Sequence, residues 1–74
     1  MNNYEKYLEK KKEINKKLSS VILKPNEETR LCWEVANNLM VSGTTVKNYL
    51  DGRVSDGYLG EAIYFEFKRL KCVK

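Results

Sequence analysis

The side chains best equipped for chemistry lie in the stretch VSGTTVKNYLDGR, residues 41–53. Its polar members are small or carry hydrogen-bond donors, and they are Gly43, Thr44, Thr45, Lys47 and Asn48. Its apolar members recur at the spacing of one helical face, and they are Val46, Tyr49 and Leu50. The pattern predicts a short helix that is held on one side and offers hydrogen bonds on the other. Such a helix suits recognition of a partner surface.

Both ends of this predicted helix are marked. The side-chain oxygen of Ser42 can accept a hydrogen bond from a free N–H of the first turn. Gly52 can close the other end, because glycine adopts a left-handed backbone without steric cost. We therefore expect the helix to run from about residue 42 to residue 51.

Groups for acid–base, nucleophilic or metal chemistry are scarce. The chain contains no histidine and two cysteines, Cys32 and Cys72. Two thiols cannot complete a four-ligand zinc site unless carboxylates or a second chain contribute. No glycine-rich phosphate loop is present. We therefore expect neither an enzyme nor a bound cofactor or metal, and we interpret the cysteines as reduced thiols without a special role.

The chain has 74 residues, which is enough for one domain, and its apolar and charged content is typical of a globular protein. Its apolar runs are too short to cross a bilayer, and no signal-peptide pattern is visible. These features predict a cytoplasmic protein without membrane contact.

The formal charge of +4 is unevenly distributed. Residues 1–24 carry seven lysines and three glutamates, whereas residues 25–74 carry seven basic and seven acidic residues. The basic excess therefore belongs to the N-terminal segment. Such a segment suits an anionic partner, but a lysine-rich helix face also serves solubility.

The N-terminal segment, residues 1–24, is predicted to be a basic amphipathic helix. Its apolar residues recur at spacings of three and four, and they are Tyr4, Tyr7, Leu8, Ile14, Leu18 and Val21. Asn2 and Glu5 form a potential capping pair at its start. A pair of serines weakens the pattern, so the helix is expected to end between Leu18 and Leu23.

A second helix is predicted over Glu27–Leu39. Pro25 disfavours helix in the residue before it, and Asn26 is a good N-cap. Apolar residues cover a broad arc of this helix, and they are Leu31, Trp33, Val35, Ala36, Leu39 and Met40. A broad arc predicts burial against more than one neighbour.

A C-terminal helix is predicted over residues 55–72, after the turn-rich loop DGRVSDG, with Ser55 as its cap. Its apolar residues recur at helical spacing, and they are Leu59, Ala62, Ile63, Phe67 and Leu70. The stretch AIYFEF, residues 62–67, is also rich in strand formers, so a wing strand is the alternative. Together the elements predict an all-α fold, a small four-helix domain over residues 1–74.

The stretch CWEVANNLMVSGTTVKNYLDGR, residues 32–53, resembles the helix-turn-helix of phage repressors and Cro-like regulators. Ala36 stands at the small residue of that family's first helix, and Val46 stands at the branched apolar residue of its second. The family's other apolar places are matched by Val35, Leu39, Val41 and Tyr49. The run YLDGRVSDGYLGEAI resembles the segment that follows the family's second helix. The resemblance implies a helix-turn-helix over residues 26–53.

The resemblance also implies binding of double-stranded DNA, with the helix over residues 42–51 in the major groove. The outward positions that such a family presents to bases are here Gly43, Thr44, Lys47 and Asn48. Asn48 would read adenine through two hydrogen bonds, and the Thr44 methyl would touch a thymine methyl. The groups that would hold phosphates are Ser42, Arg53 and Lys24, with Lys47 as a further cation.

The chain departs from the family pattern in two ways. Met40 stands where the family has a glycine with a left-handed backbone, which costs a residue with a side chain about 1 kcal/mol or more. The turn is therefore either strained or built differently. The second departure is the balanced charge of residues 25–74, which is unusual for a strong DNA binder.

Two functions of different classes follow. The first is a sequence-specific transcriptional regulator of phage or mobile-element type that acts as a homodimer. Its dimer contact is expected in the aromatic C-terminal segment, with the N-terminal helix as the other candidate. The expected contact residues of that segment are Tyr64, Phe65, Phe67 and Leu70. The second function is a protein-binding module, such as a phage accessory or inhibitor protein, that docks through the basic N-terminal helix.

Overall fold

The computed structural model describes residues 3–73, which contain four α-helices. They are α1 (Asn3–Leu18), α2 (Glu28–Leu39), α3 (Gly43–Leu50) and α4 (Gly57–Arg69). The expected all-α fold is confirmed. Residues 62–67 belong to α4, so the alternative of a wing strand is wrong. The β-structure within residues 3–73 is one isolated antiparallel bridge between Val21 and Val73.

α1 ends at Leu18, the earliest point of the predicted range. The hydroxyls of the two residues that follow, Ser19 and Ser20, each donate to a main-chain carbonyl of the last turn at 2.6 Å. Serine side chains compete in this way with the helical hydrogen-bond ladder, which favours a stop here. Residues 19–24 of the basic segment therefore lie outside the helix, and the predicted cap at Asn2 lies outside the described residues.

α2 begins one residue later than predicted, at Glu28. Its N-cap is Glu27, whose side chain makes no capping hydrogen bond, so the prediction of Asn26 as the cap is wrong. The backbone N–H groups of Glu27 and Glu28 donate to the carbonyl oxygen of Lys24, at 2.9 and 3.0 Å. A backbone turn around Pro25 therefore satisfies donors that would otherwise be left without a partner at the start of a helix.

Tyr49 of α3 fastens the loop that leads into α4. Its side chain is buried, and its hydroxyl oxygen accepts a hydrogen bond from the N–H of Asp56 at 3.0 Å. The same hydroxyl is hydrogen-bonded to the side chain of Ser55 at 3.1 Å. The carboxylate of Asp56 caps α4 by accepting from the N–H of Tyr58 at 2.9 Å. The prediction of Ser55 as the cap is wrong, because its hydroxyl is engaged with Tyr49.

The core is apolar and draws on all four helices. Its buried members are Ile14, Leu18, Leu31, Cys32, Val35, Ala36, Val46, Tyr49, Val54, Ile63 and Phe67. Burial, with a smaller contribution from the Glu28 carboxylate, raises the pKa of the Cys32 thiol, which suits its place as a small apolar residue. Phe67 is fully buried, so its prediction as a dimer contact is wrong.

Gly60 lies where α4 packs closely against Ile14 of α1. A Cβ there would lie 2.5 Å from Cγ2 of Ile14, 3.3 Å from Cγ1 of Val54 and 3.4 Å from Cδ2 of Tyr49. The first distance is far shorter than van der Waals contact, so a side chain would force the two helices apart. Glycine at this place therefore sets the packing behind Tyr49.

We expect Gly60→Ala to destabilise the protein by about 1–3 kcal/mol through overpacking, in spite of the better helix propensity of alanine. Urea denaturation followed by circular dichroism measures the change. Gly57→Ala is the matched control in the same helical turn, because its Cβ would meet the flexible Lys10 side chain at 3.2 Å. Equal stabilities for the two variants would contradict this account of the packing.

Candidate nucleic-acid interface

Residues 40–42 join α2 to α3, and Met40 carries backbone strain. It has φ 58° and ψ 40°, which is the left-handed region. The N–H of Val41 donates to the carbonyl oxygen of Ala36 at 3.0 Å, and the N–H of Met40 donates to that of Asn37 at 3.3 Å. This is a Schellman-type end, which glycine usually provides. Of the two possibilities for the turn, strain is correct, and it costs about 1–2 kcal/mol.

Both ends of α3 are closed as predicted. The Oγ of Ser42 accepts from the N–H of Thr45 at 3.1 Å and lies 2.8 Å from the Thr45 hydroxyl oxygen. Gly52 has φ 94°, and the N–H of Arg53 donates to the carbonyl oxygen of Asn48 at 2.9 Å. A helix of eight residues is unstable on its own, so it depends on these ends and on tertiary packing.

The inward side of α3 packs against α2. Val46 and Tyr49 are buried, and so is Ala36 on α2. A small side chain at Ala36 allows the two helices to approach closely. The apolar stripe of α3 therefore lies on its inner side, as its spacing predicts.

The outward side of α3 carries some, not all, of the predicted base-contacting residues. Thr44 and Lys47 are exposed, and Asn48 is half-buried. Gly43 is buried, and a Cβ on it would lie 3.1 Å from Cδ2 and Cε2 of Trp33. The expectation that Gly43 faces outward is wrong, because the Trp33 indole of α2 lies over it.

Beside the start of α3, α2 presents an exposed apolar surface that the sequence did not predict. Trp33 and Asn37 are four residues apart and share one side of α2, and Met40 is the left-handed residue that follows the helix. Trp33 is 56% exposed and Met40 is 92% exposed, so the prediction that they form part of a buried arc is wrong. We call these three residues the α2 corner. Together with Thr44 and Lys47, which are exposed on α3, it makes up the candidate contact surface.

The predicted phosphate-contacting side chains are all accessible. Ser42, Arg53 and Lys24 are exposed, although Ser42 also caps α3. Among the salt bridges formed within residues 3–73, none involves Lys24, Lys47 or Arg53. These three cations therefore have no protein carboxylate that a phosphate would need to displace.

The charge around α3 is balanced by acidic residues. Residues 26–53 carry three basic and four acidic side chains. Asp51 follows Thr44 by seven residues and Lys47 by four, so it lies on the same outward side, and it is exposed. A phosphate would be repelled at this C-terminal end of α3. The part of α3 that precedes Asp51, with Thr44 and Lys47 on its outward side, therefore suits an anionic partner better than its C-terminal end.

Part of the N-terminal basic charge is already paired within the chain. Nζ of Lys10 lies 2.5 Å from a carboxylate oxygen of Glu61, and this hydrogen bond raises the pKa of Lys10 and lowers that of Glu61. Lys17 pairs with Glu13 at 3.5 Å. The positive charge that α1 offers to a partner is therefore smaller than its lysine count indicates.

No protein-family model, curated protein or solved structure matches this chain. In residues 3–73, no three or more histidine, cysteine, aspartate or glutamate side chains are grouped so that they could hold a metal ion. Nor does any helix in this range have both the length and the apolar character that a bilayer-crossing segment needs. The function is therefore inferred from the geometry of the chain itself.

We expect Met40→Gly to stabilise the protein by about 1 kcal/mol, because glycine relieves the left-handed strain and the exposed methionine side chain buries little surface. Met40→Ala is the control, since it removes the side chain but keeps the strain. Its stability should stay within about 0.5 kcal/mol of the original chain in urea denaturation. Equal stabilisation by both changes would show that strain is not the cause.

Proposed function

We propose that this chain is a small sequence-specific DNA-binding transcriptional regulator of phage or mobile-element type. The observation that carries the proposal is the construction of α3. It is a short helix closed at both ends by Ser42 and Gly52, and its inner side is buried. Its outer side is exposed at Thr44 and Lys47. A helix presented in this way has the dimensions to enter the major groove of B-DNA.

The contacts divide into base reading and positioning. The Thr44 methyl meets a thymine methyl, and Asn48 donates to and accepts from the edge of an adenine. Lys47 and Arg53 hold phosphates on either side of the groove, and Lys24 reaches a third. Asp51 keeps the C-terminal end of α3 away from the backbone by repulsion. The helix therefore enters the groove with residues 44–48 and not with its C-terminal end.

Trp33 takes the place that a side chain at residue 43 would otherwise occupy. Its exposed indole lies over Gly43 at the start of α3, so it reaches the DNA at the same corner. Apolar contacts with thymine methyls and sugars suit this ring and the neighbouring Met40. Such contacts offset the small net charge around α3, because they do not depend on phosphate attraction.

Sequence-specific binding is tested by selecting from a random duplex pool at low and at moderate salt, followed by sequencing. A dimer places two copies of α3 about 34 Å apart, so the enriched site should contain two half-sites related by a two-fold axis. Absence of any enriched sequence at both salt concentrations would refute the proposal. Enrichment of a single half-site would support base reading by one copy.

We expect Asn48→Ala to relax the preference at one base pair by about 1–3 kcal/mol, because it removes an amide that reads a base edge. Arg53→Ala should weaken all sequences alike and lower the magnitude of the log–log salt slope by about 1. Lys68→Ala is the matched control, since Lys68 is an exposed cation on α4, away from the α3 surface. A uniform loss in Asn48→Ala, with no change of sequence preference, would assign Asn48 a structural role.

We expect DNA binding to shift the emission of Trp33 to shorter wavelength, because the indole loses water contact at the interface. Trp33 is the only tryptophan of the chain, so the signal reports this corner alone. Fluorescence titration with the selected duplex measures the shift, and N-acetyltryptophanamide mixed with the same duplex controls for absorbance. Binding with unchanged emission would place the DNA on another surface, such as the lysines of α1.

A protein-binding module is the second candidate, and the α2 corner is the observation that favours it. Tryptophan and methionine are enriched in the buried centres of protein interfaces. Two exposed side chains of these types beside a helix of balanced charge therefore also suit a protein partner. Recovery of a stoichiometric protein with the native chain, lost in Trp33→Ala and Met40→Asp but kept in Lys12→Ala, would favour this function over DNA binding. Loss in Lys12→Ala alone would place the contact on the basic helix.

A further inference from the structure

The loop between α3 and α4, residues 51–56, carries Arg53, the cation that the proposed function assigns to a phosphate. The loop is anchored at Arg53 itself, whose N–H donates to the carbonyl oxygen of Asn48 at 2.9 Å. The next residue, Val54, is buried in the core, whereas Arg53 is exposed. The place from which the guanidinium reaches a phosphate therefore depends on how firmly this loop is held on both sides of Arg53.

Two tyrosines from different helices hold the loop after Val54. The hydroxyl of Tyr49, from α3, is hydrogen-bonded to the Ser55 hydroxyl at 3.1 Å and accepts from the N–H of Asp56 at 3.0 Å. The hydroxyl of Tyr7, from α1, donates to the carbonyl oxygen of Ser55 at 2.5 Å. Ser55 is thereby held through its side chain and through its main chain. We call Tyr7, Tyr49 and Ser55 the tyrosine clamp.

Packing of the core does not account for the place of Tyr7. The buried residues of α1 are Ile14 and Leu18, which lie in its second half. Tyr7 is 37% exposed, and Nζ of Lys11 lies 5.6 Å from the centroid of its ring, which favours one position of the ring. The specific contact of this side chain is the hydrogen bond to Ser55, far along the chain. Tyr7 therefore orders the loop between α3 and α4 from outside the core.

We infer that Tyr7 is a positioning residue for DNA binding, and that it acts through the tyrosine clamp on Arg53. The inference rests on the proposed function, because it needs Arg53 to hold a phosphate. A loop that is fixed before binding loses less conformational entropy when the guanidinium meets the phosphate. Tyr7 thus lowers the free-energy cost of this contact without touching DNA. It gives α1 a part in DNA binding that does not use its lysines.

Tyr7→Phe tests the inference, because it removes the hydroxyl and keeps the ring. Affinity should fall about three- to fivefold for all duplexes alike, which is comparable with the net contribution of one hydrogen bond. The preference at the base pair that Asn48 reads should stay unchanged. Fluorescence anisotropy with labelled duplexes at fixed salt measures both. Tyr4→Phe is the matched control on the same helix, since Tyr4 is 68% exposed and its hydroxyl makes no hydrogen bond within residues 3–73.

A double-mutant cycle separates positioning from a general effect on the fold. In the Arg53→Ala background, Tyr7→Phe should cause no further loss of affinity, because no guanidinium remains to be positioned. A loss of equal size in both backgrounds would overturn the inference and leave Tyr7 a structural role. Undiminished affinity of Tyr7→Phe would also overturn it, although the proposed function would stand. An original chain that selects no duplex refutes the proposed function, and this inference with it.

Amide hydrogen exchange without DNA tests the tyrosine clamp directly. The N–H groups of Arg53 and Asp56, which are hydrogen-bonded on either side of Val54, should exchange about three- to fivefold faster in Tyr7→Phe. Tyr4→Phe should exchange as the original chain does. Unchanged exchange in Tyr7→Phe would overturn the inference, because Tyr7 would then not order the loop. Circular dichroism checks that each variant is folded at the temperature of the measurement.

Discussion

The close packing of α4 on α1 at Gly60 is the constraint on which the presentation of α3 depends. At this point a side chain would overlap Ile14 and press against Val54 next to Tyr49, so the helices approach at the distance that glycine allows. Tyr49 belongs to α3 and holds the loop before α4 through its hydroxyl. The back of α3 is therefore fixed by residues far from it in sequence. The residues that α3 exposes are fixed as a result, because a helix buried on one side cannot rotate about its axis.

Features of the fold that arise from neighbouring residues were predictable from the sequence. The ends of α3 at Ser42 and Gly52 and its buried stripe are set within one or two turns. The caps at Asn26 and Ser55 were not predictable. A backbone turn already supplies the acceptor at the start of α2, and the Ser55 hydroxyl is engaged with a tyrosine from another helix. Residue preferences describe what a cap can do, and tertiary contacts decide which group does it.

The candidate site divides in the same way. Helical spacing correctly placed Thr44 and Lys47 on the outside, but it could not show that Trp33 from α2 covers Gly43. The expectation of a dimer contact at Phe67 in the C-terminal aromatic segment failed for a similar reason. Spacing shows which residues share a side of a helix, but it does not show which side is buried. Phe65 is half exposed and Phe67 is fully buried, although they are two residues apart. Both errors arise because the residues that cover a helix side lie elsewhere in the sequence.

Stability offers no reason for methionine at residue 40. Its backbone is strained, its side chain is 92% exposed, and glycine would relieve the strain without loss of packing. Contact with a partner does offer a reason, because an exposed thioether and an exposed indole each gain free energy when they leave water. The balanced charge of residues 26–53 points in the same direction, since phosphate attraction alone would be weak there. In the proposed function, the α2 corner adds apolar contact to the hydrogen bonds that the start of α3 offers.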